Sequence, residues 1–339
     1  MSFSDHAYLQ LTDNSLFCIA GDRHPDGYVF GMPYYMPTED LARSYPDKKV
    51  DVSFEHNGNA VTKIRSVLSS DEMAQLFESR WGKNRFASSF SSGLLMKLPR
   101  SNVSHQLDGK SALTQIVHEL GPDQPLRKLY AAMRAFDPYL LERTALTGSR
   151  LLSESYLPSD RDVDMVVGCA PQSFDKLLIH MVQSGLCNLY PETRFESAKS
   201  YWRRDLFSID DTKFDISFSR YNEDCVYYNF EESLETKPYD SASDLEVVIT
   251  NSNHSSHLPA LIKVDGAVDE ILFVARGWTS AFFAGDRISL SSCRVVARND
   301  HTRTAICLDP PGHGVRLLDR SPAERRFWQT SEPSDAAQT

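Results

Sequence analysis

The segment from Leu146 to Gly168, LTGSRLLSESYLPSDRDVDMVVG, contains residue types suited to phosphate chemistry. A Gly-Ser pair at the start of a helix, here Gly148 and Ser149, presents backbone N–H groups and a hydroxyl to a phosphate. Asp162 and Asp164 enter an apolar strand at alternate positions, so we expect both carboxylates on one face of that strand. Two carboxylates placed in this way bind hard divalent cations. The segment therefore indicates a metal-dependent phosphate site.

A third carboxylate, Asp215, lies between apolar residues in a strand that we predict over Phe214–Phe218. A charge in such surroundings is costly unless a cation lies beside it. If this strand pairs with the strand of Asp164, three carboxylates converge and can hold two metal ions ~3.5–4 Å apart, which stabilise the attacking and leaving oxygens of a phosphoryl transfer. Asp215 can also be a satisfied structural carboxylate, and this alternative stays open.

These motifs resemble the signature of the DNA polymerase β-type nucleotidyltransferase superfamily. That signature is a Gly-Ser pair, a spacer of about ten residues, an Asp-x-Asp pair and a third Asp on a later strand. The matching residues here are Gly148-Ser149, Asp162-Val163-Asp164 and Asp215. The resemblance implies a polymerase β-like fold and a reaction in which a nucleoside monophosphate moves from a nucleoside triphosphate to an acceptor oxygen, with release of pyrophosphate.

Three further segments resemble a narrower group of prokaryotic nucleotidyltransferases that carry an N-terminal extension and a C-terminal β module. They are residues 16–37 (LFCIAGDRHPDGYVFGMPYYMP), residues 199–204 (KSYWRR) and residues 269–299 (DEILFVARGWTSAFFAGDRISLSSCRVVARN). The likeness spans most of the chain, although only the central motif is specific. It implies the same three-part organisation for this protein.

The resemblance also implies a role for each candidate residue. Asp162, Asp164 and Asp215 would be the catalytic carboxylates and would ligate two Mg²⁺ or Mn²⁺ ions. Asp215 would hold the catalytic ion and help to deprotonate the acceptor. Binding of ATP or another nucleoside triphosphate would fall to Gly148, Ser149, Arg150, Lys199 and Arg203. Taken alone, each of the three basic residues is more often an ordinary solvated side chain.

The spacing leaves the register of the Asp-x-Asp pair open. Twelve residues separate Ser149 from Asp162, two more than is usual for the superfamily, and Asp160 with Asp162 forms a second, overlapping pair. We favour Asp162 and Asp164 because Val163 and the apolar residues after Asp164 match the strand that normally carries the pair. If the register lies two residues earlier, Asp160 becomes a metal ligand.

The hydrophobic pattern around these motifs predicts an α+β protein. We expect a β-rich N-terminal extension over residues 1–110 and a catalytic domain with a mixed, polymerase β-like sheet and helices over residues 111–240. A small barrel-like β module would follow over residues 241–320, with a flexible tail over residues 321–339. Within the catalytic domain the pattern predicts a strand at Val163–Val167 and an amphipathic helix over Ser173–Ser184.

Composition restricts the partners. The chain has 339 residues and a net charge of −10, which disfavours a long nucleic acid, so we expect a small molecule or a protein side chain as the acceptor. No apolar run approaches the ~20 residues of a membrane span. The six cysteines lack paired metal-site spacings, which favours free thiols in the cytoplasm. An RNA 3′ end as acceptor, or a non-catalytic protein that binds nucleotide or nucleic acid on the same fold, remain the alternatives.

Overall fold

A computed structural model describes most of the chain. The described residues are 6–21, 24, 26–82, 96–152, 162–169, 171–192, 201–219, 240–242, 244–254, 260–273, 278, 281–291, 293–299, 302–307 and 314–321. Asp160, Lys199 and all of the expected tail except Ser321 lie outside this set. Arg203 is described only by its backbone.

The protein is a mixed α+β structure, as the sequence predicts. Its described helices are α1 (Thr38–Ser44), α2 (Ser70–Trp81), α3 (Gly109–Glu119), α4 (Pro125–Phe136), α5 (Pro138–Glu142), α6 (Gly148–Leu152) and α7 (Pro171–Gln183). Short 3₁₀ turns lie at Ile64–Ser66 and Arg100–Asn102. None of the described helices has both the length and the apolar character needed to cross a bilayer.

The strands form three sheets. The first contains β1 (Tyr8–Leu11), β2 (Leu16–Ile19), β3 (Tyr28–Pro37), β4 (Phe54–His56), β5 (Asn59–Lys63), β6 (Met96–Pro99) and β7 (Val103–Gln106). The second contains β8 (Thr144–Leu146), β9 (Val163–Val167), β10 (Asn188–Glu192), β11 (Tyr201–Ile209) and β12 (Thr212–Phe218). The third contains β13 (Asp240–Ala242), β14 (Leu245–His254), β15 (Ala260–Gly266), β16 (Glu270–Phe273), β17 (Arg287–Leu290), β18 (Cys293–Asn299), β19 (Thr302–Cys307) and β20 (Val315–Asp319).

The N-terminal sheet has the order β4-β5-β3-β2-β1-β7, with β6 also paired to β3. Because side chains alternate along each strand, its two faces build two separate cores. One face packs against α1 and α2 through residues such as Phe17, Met36 and Phe77. The opposite face, which includes Tyr35, packs against Leu152 of α6. This second face is what positions the candidate site.

The sequence-based reading of residues 1–110 as strands and turns misses α1 and α2. The start of α2 carries a recognisable signal, since the Ser69 hydroxyl accepts from the backbone N–H of Glu72 and the Glu72 carboxylate accepts from the backbone N–H of Ser69. This reciprocal capping box satisfies two N–H groups that a helix start otherwise leaves open. Its Ser-x-x-Glu spacing was available in the sequence.

The central sheet has the order β10-β11-β12-β9-β8, in which Asp164 lies in β9 and Asp215 lies in β12. The prediction of a strand at Val163–Val167 is confirmed, and the predicted Phe214–Phe218 strand lies within β12. The predicted helix corresponds to α7, shifted by one or two residues.

The C-terminal sheet is an eight-stranded half-barrel with the order β13-β18-β19-β16-β15-β14-β17-β20. Trp278 and Phe282 are fully buried in its core, and their rings stack with centroids 5.6 Å apart. An ion pair between Arg320 and Asp286, 2.6 Å long, is also buried beside this core. The backbone N–H of Ser321 donates to Asp286, so the residue at the start of the expected tail is part of the fold.

Chain contacts divide the protein into two compact units. One comprises residues 1–119, 144–166 and 219–235, and the other comprises residues 120–143, 167–218 and 236–339. The Gly-Ser turn and the Asp-x-Asp pair therefore belong to the same unit as the N-terminal sheet. The domain boundaries expected from the sequence stay a prediction.

The five cysteines in the described part of the chain are free thiols. Burial raises the pKa of Cys187 to about 12 and the pKa of Cys293 to about 11. Because only the thiolate is strongly nucleophilic, both groups are inert at neutral pH.

Candidate functional site

The Gly-Ser turn lies directly against the Asp-x-Asp strand. Gly148, the first residue of α6, has φ +63°, a conformation that favours glycine. A Cβ atom at this position would lie 2.6 Å from Cγ and 2.8 Å from Cβ of Asp164, and closer still to Oδ2. Only a residue without a side chain fits between the turn and this carboxylate. Gly148 therefore brings the backbone of the Gly-Ser turn into contact with Asp164.

Backbone hydrogen bonds hold the same two segments together. The N–H of Thr147 donates to the carbonyl of Asp164 over 3.0 Å, and the N–H of Gly168 donates to the carbonyl of Arg143 over 2.8 Å. These two bonds have the spacing of an antiparallel pair between β9 and the chain around β8. They fix the register of β9 against the residues that lead into the Gly-Ser turn.

Arg150 belongs to the scaffold of the turn. Its side chain is buried, and Nε donates to the backbone carbonyl of Asp162 over 3.3 Å. This bond crosses from α6 to the residue that precedes β9, although the two positions are twelve residues apart. The geometry gives Arg150 a positioning contact, and its expected contact with nucleotide stays a prediction.

The far end of α6 is held by His56 from the tip of the β4–β5 hairpin. Nδ1 of His56 lies 2.7 Å from the carbonyl oxygen of Leu152, and because a carbonyl can only accept, Nδ1 is the donor. Nε2 then accepts from the side-chain amide of Asn57 over 3.1 Å, and that amide also donates to Gln10. Sequence reasoning missed His56. The Asn57-Gly58 pair, a typical hairpin turn, was the local signal that could have placed it at a tip.

Apolar contacts complete the support of α6. Leu152 is buried among Tyr8, Leu16, Tyr35 and Phe54 of the N-terminal sheet. A helix of five residues is not stable alone, because helix nucleation is costly. The conformation of the Gly-Ser turn therefore depends on the N-terminal sheet.

Of the three candidate carboxylates, Asp162 directly precedes β9, Asp164 lies in β9 and Asp215 lies in β12. Asp162 is exposed, whereas Asp164 and Asp215 are partly buried. In β12 the residues on either side of Asp215, Phe214 and Ile216, are buried, so Asp215 faces away from that core. Ser149, in the first turn of α6, is partly buried.

In the described part of the chain, no three His, Cys, Asp or Glu side chains are gathered closely enough to hold a metal ion. The donor chemistry nevertheless fits, since Asp162, just before β9, and Asp164, within it, provide hard oxygen ligands two residues apart. The Asp162 side chain is exposed and the Asp164 side chain is partly exposed. Carboxylates repel one another unless a cation lies between them, so we expect their final approach to depend on the ion.

The charge of Asp164 also acts on the N-terminal sheet. Burial raises the pKa of Tyr35 far above its usual value, and the neighbouring Tyr34 and then Asp164 raise it further. The Arg65 guanidinium acts in the opposite direction on the same ring. Asp164 and Arg65 therefore both lie within electrostatic reach of Tyr35.

Comparisons with family models, with curated proteins and with solved structures find no match to this chain. Function must therefore be inferred from the geometry and chemistry of the site.

Proposed function

We propose that this protein is a metal-dependent nucleotidyltransferase that transfers a nucleoside monophosphate from a nucleoside triphosphate to an acceptor oxygen and releases pyrophosphate. The contact between Gly148 and the Asp164 carboxylate carries this proposal. A triphosphate held by the backbone of the turn can reach cations held by the strand only if the two segments touch. The longer spacer of this sequence does not separate them.

Each candidate residue has a proposed role. Asp162 and Asp164 would hold Mg²⁺ or Mn²⁺, and Asp215 of β12 would be the third carboxylate. When bound, such ions neutralise phosphate charge and stabilise the attacking and leaving oxygens. Ser149 and the backbone N–H groups around it would cradle the β- and γ-phosphates. Asp215 would accept the proton of the attacking hydroxyl.

The acceptor is proposed to be a small molecule or a protein side chain in the cytoplasm. The net charge of −10 opposes non-specific binding of a long polyanion. An RNA 3′ end requires a local basic groove to offset that repulsion, and it is the alternative acceptor that the experiment below includes.

Pyrophosphate release tests the proposal. The wild-type protein is incubated with each of the four nucleoside triphosphates, with Mg²⁺ or Mn²⁺, and with small-molecule, RNA or protein fractions of a cell extract. We expect release that depends on one fraction and falls by at least 10³-fold in Asp162→Asn and Asp164→Asn, because each carboxylate positions a cation that supplies several kcal/mol of charge stabilisation. The control is Asp265→Asn, which removes an exposed carboxylate from β15.

The second candidate is a non-catalytic nucleotide-binding protein on the same fold. This candidate predicts nucleotide binding that is independent of Mg²⁺ and unaffected by Asp162→Asn. Such binding, without pyrophosphate release in any fraction, would replace the transferase proposal.

A further inference from the structure

A β-bulge in β3 turns Tyr34 towards the face of the N-terminal sheet that supports α6. Leu16 pairs with Tyr35 and Phe17 pairs with Pro33, so Tyr34 is the extra residue between two pairs. Without a bulge, Tyr34 would point away from Tyr35. Instead the two rings lie 5.1 Å apart, and the Tyr34 ring also meets Tyr8 edge-on at 5.9 Å.

Two cations lie over the Tyr34 ring. Lys63 Nζ is 4.9 Å from the ring centroid, and the Arg65 guanidinium carbon is 5.3 Å from it. Lys63 lies opposite Tyr35 in the β3–β5 ladder, which places both side chains on the same face. The tyrosine–cation cluster consists of Tyr34, Lys63 and Arg65.

The cluster has unbalanced positive charge. Neither Lys63 nor Arg65 forms an ion pair with another residue in the described part of the chain, whereas Lys48 and Arg80 of the same unit do. Two like charges on one ring repel each other, and the ring offsets this only in part. An anion is the ligand that would neutralise the pair and accept hydrogen bonds from both.

The cluster lies beside the candidate site. Tyr34 packs against the same apolar group that contains Tyr35 and, from α6, Leu151 and Leu152. The Gly-Ser turn that opens α6 touches Asp164. Lys63 and Arg65, which form no ion pair within the described ranges, therefore lie over a ring that packs against the helix opened by this turn.

We propose that the tyrosine–cation cluster is an anion-binding subsite that takes a phosphate group of a substrate. The choice of phosphate rests on the proposed nucleotidyltransferase function, whereas the binding of an anion rests only on the cluster. The phosphate belongs either to the nucleoside triphosphate or to a phosphorylated acceptor. Tyr34 keeps both cations over its ring before the ligand arrives, which reduces the ordering cost of binding.

Calorimetric binding of inorganic tripolyphosphate, inorganic phosphate and ATP at low ionic strength tests the proposal without requiring catalysis. The variant is Lys63→Gln/Arg65→Gln. The matched control, Arg43→Gln/Lys49→Gln, removes one arginine and one lysine from exposed ion pairs in the same unit and changes the net charge equally. Thermal unfolding verifies that both double variants are folded.

We expect tripolyphosphate to bind the wild type and the control equally and the variant at least tenfold more weakly, since each charge-assisted contact contributes about a factor of ten. Loss of ATP affinity in the same variant assigns the subsite to the nucleotide. Unchanged ATP affinity, together with loss of phosphate or tripolyphosphate binding, assigns it to the acceptor. Equal tripolyphosphate affinity in wild type and variant, or no binding to the wild type, overturns the proposal. If tripolyphosphate binding is lost only in the Lys63→Gln/Arg65→Gln variant and no pyrophosphate is released in the activity assay, the anion subsite stands and only the proposed function is refuted.

Discussion

Substitution of Gly148 by alanine tests the contact that joins the Gly-Ser turn to Asp164. Alanine at φ +63° introduces backbone strain of roughly 1–2 kcal/mol. Its Cβ would also lie 2.8 Å from Cβ of Asp164, an atom that no rotation of that side chain can move away. The backbone of α6 or β9 must therefore shift, which adds about 1–3 kcal/mol, as overpacking does elsewhere. The total expected loss is about 2–5 kcal/mol of unfolding free energy.

Gly185→Ala is the matched control for the strain. Gly185 has φ +70°, and a Cβ there would meet nothing within 4 Å. Urea unfolding should show a loss of about 1–2 kcal/mol for this control. The difference between the two variants measures the steric contact alone.

The same shift should reduce activity. A displacement of about 1 Å in a site of this kind lowers turnover by roughly 10²-fold. We expect that loss of pyrophosphate release in Gly148→Ala and none in Gly185→Ala. In an Asp164→Ala background the additional cost of Gly148→Ala should fall, because Cγ and Oδ2 are gone. The reasoning is refuted if Gly148→Ala and Gly185→Ala lose the same stability within about 0.5 kcal/mol, which is the usual limit of such comparisons.

Three further predictions concern other contacts. His56→Ala should raise KM for nucleotide more than it lowers kcat, because the Leu152 carbonyl at the end of α6 loses its hydrogen-bond donor and the Gly-Ser turn loosens. His56→Asn should restore part of the nucleotide affinity. Steady-state kinetics that show an unchanged KM for His56→Ala would contradict this prediction. The hydrogen bond from Lys48, followed by those from Ser69, lowers the pKa of Glu72 from 4.5 to about 2, so the stabilisation is present above pH 4.5 and is lost as the pH falls towards 2. In urea unfolding across this pH range, the unfolding free energy of Glu72→Gln should fall less with decreasing pH than that of the wild type. An equal fall in both proteins would contradict the role of the hydrogen bonds from Lys48 and Ser69 to Glu72. Arg320→Met should cost about 3–5 kcal/mol of unfolding free energy, since it leaves the buried Asp286 carboxylate without its cation, and a loss below about 1 kcal/mol would contradict that reading.

Local patterns in the sequence were sufficient for the elements that carry the candidate residues. The segment from Val163 to Val167 predicts β9 because it is a short apolar run interrupted only by Asp164, and its four apolar residues are buried in the structure. The Gly-Ser pair predicts the start of α6. The positive φ of Gly148 in the structure explains why glycine is the residue at this position.

The contacts that support these elements could not be predicted in the same way. His56 meets the end of α6 across 96 residues of chain, and no local pattern encodes such a partner. The bulge at Tyr34 depends on the register between β2 and β3, which is set by packing on both faces of the sheet. Arg150 has the residue type of a phosphate ligand, and only its burial and its bond to Asp162 indicate a positioning contact.

Transfer of label from nucleoside triphosphates carrying ³²P at the α-phosphate tests the central claim most directly. Each of the four nucleotides is offered to the wild type, to Asp162→Asn and to Asp265→Asn, with Mg²⁺ and with the fractionated extract as acceptor. The account predicts that label becomes covalently attached to a component of one fraction with the wild type and Asp265→Asn, and not with Asp162→Asn. Label that remains in the free nucleotide under every condition, or that is transferred equally by Asp162→Asn, contradicts the account.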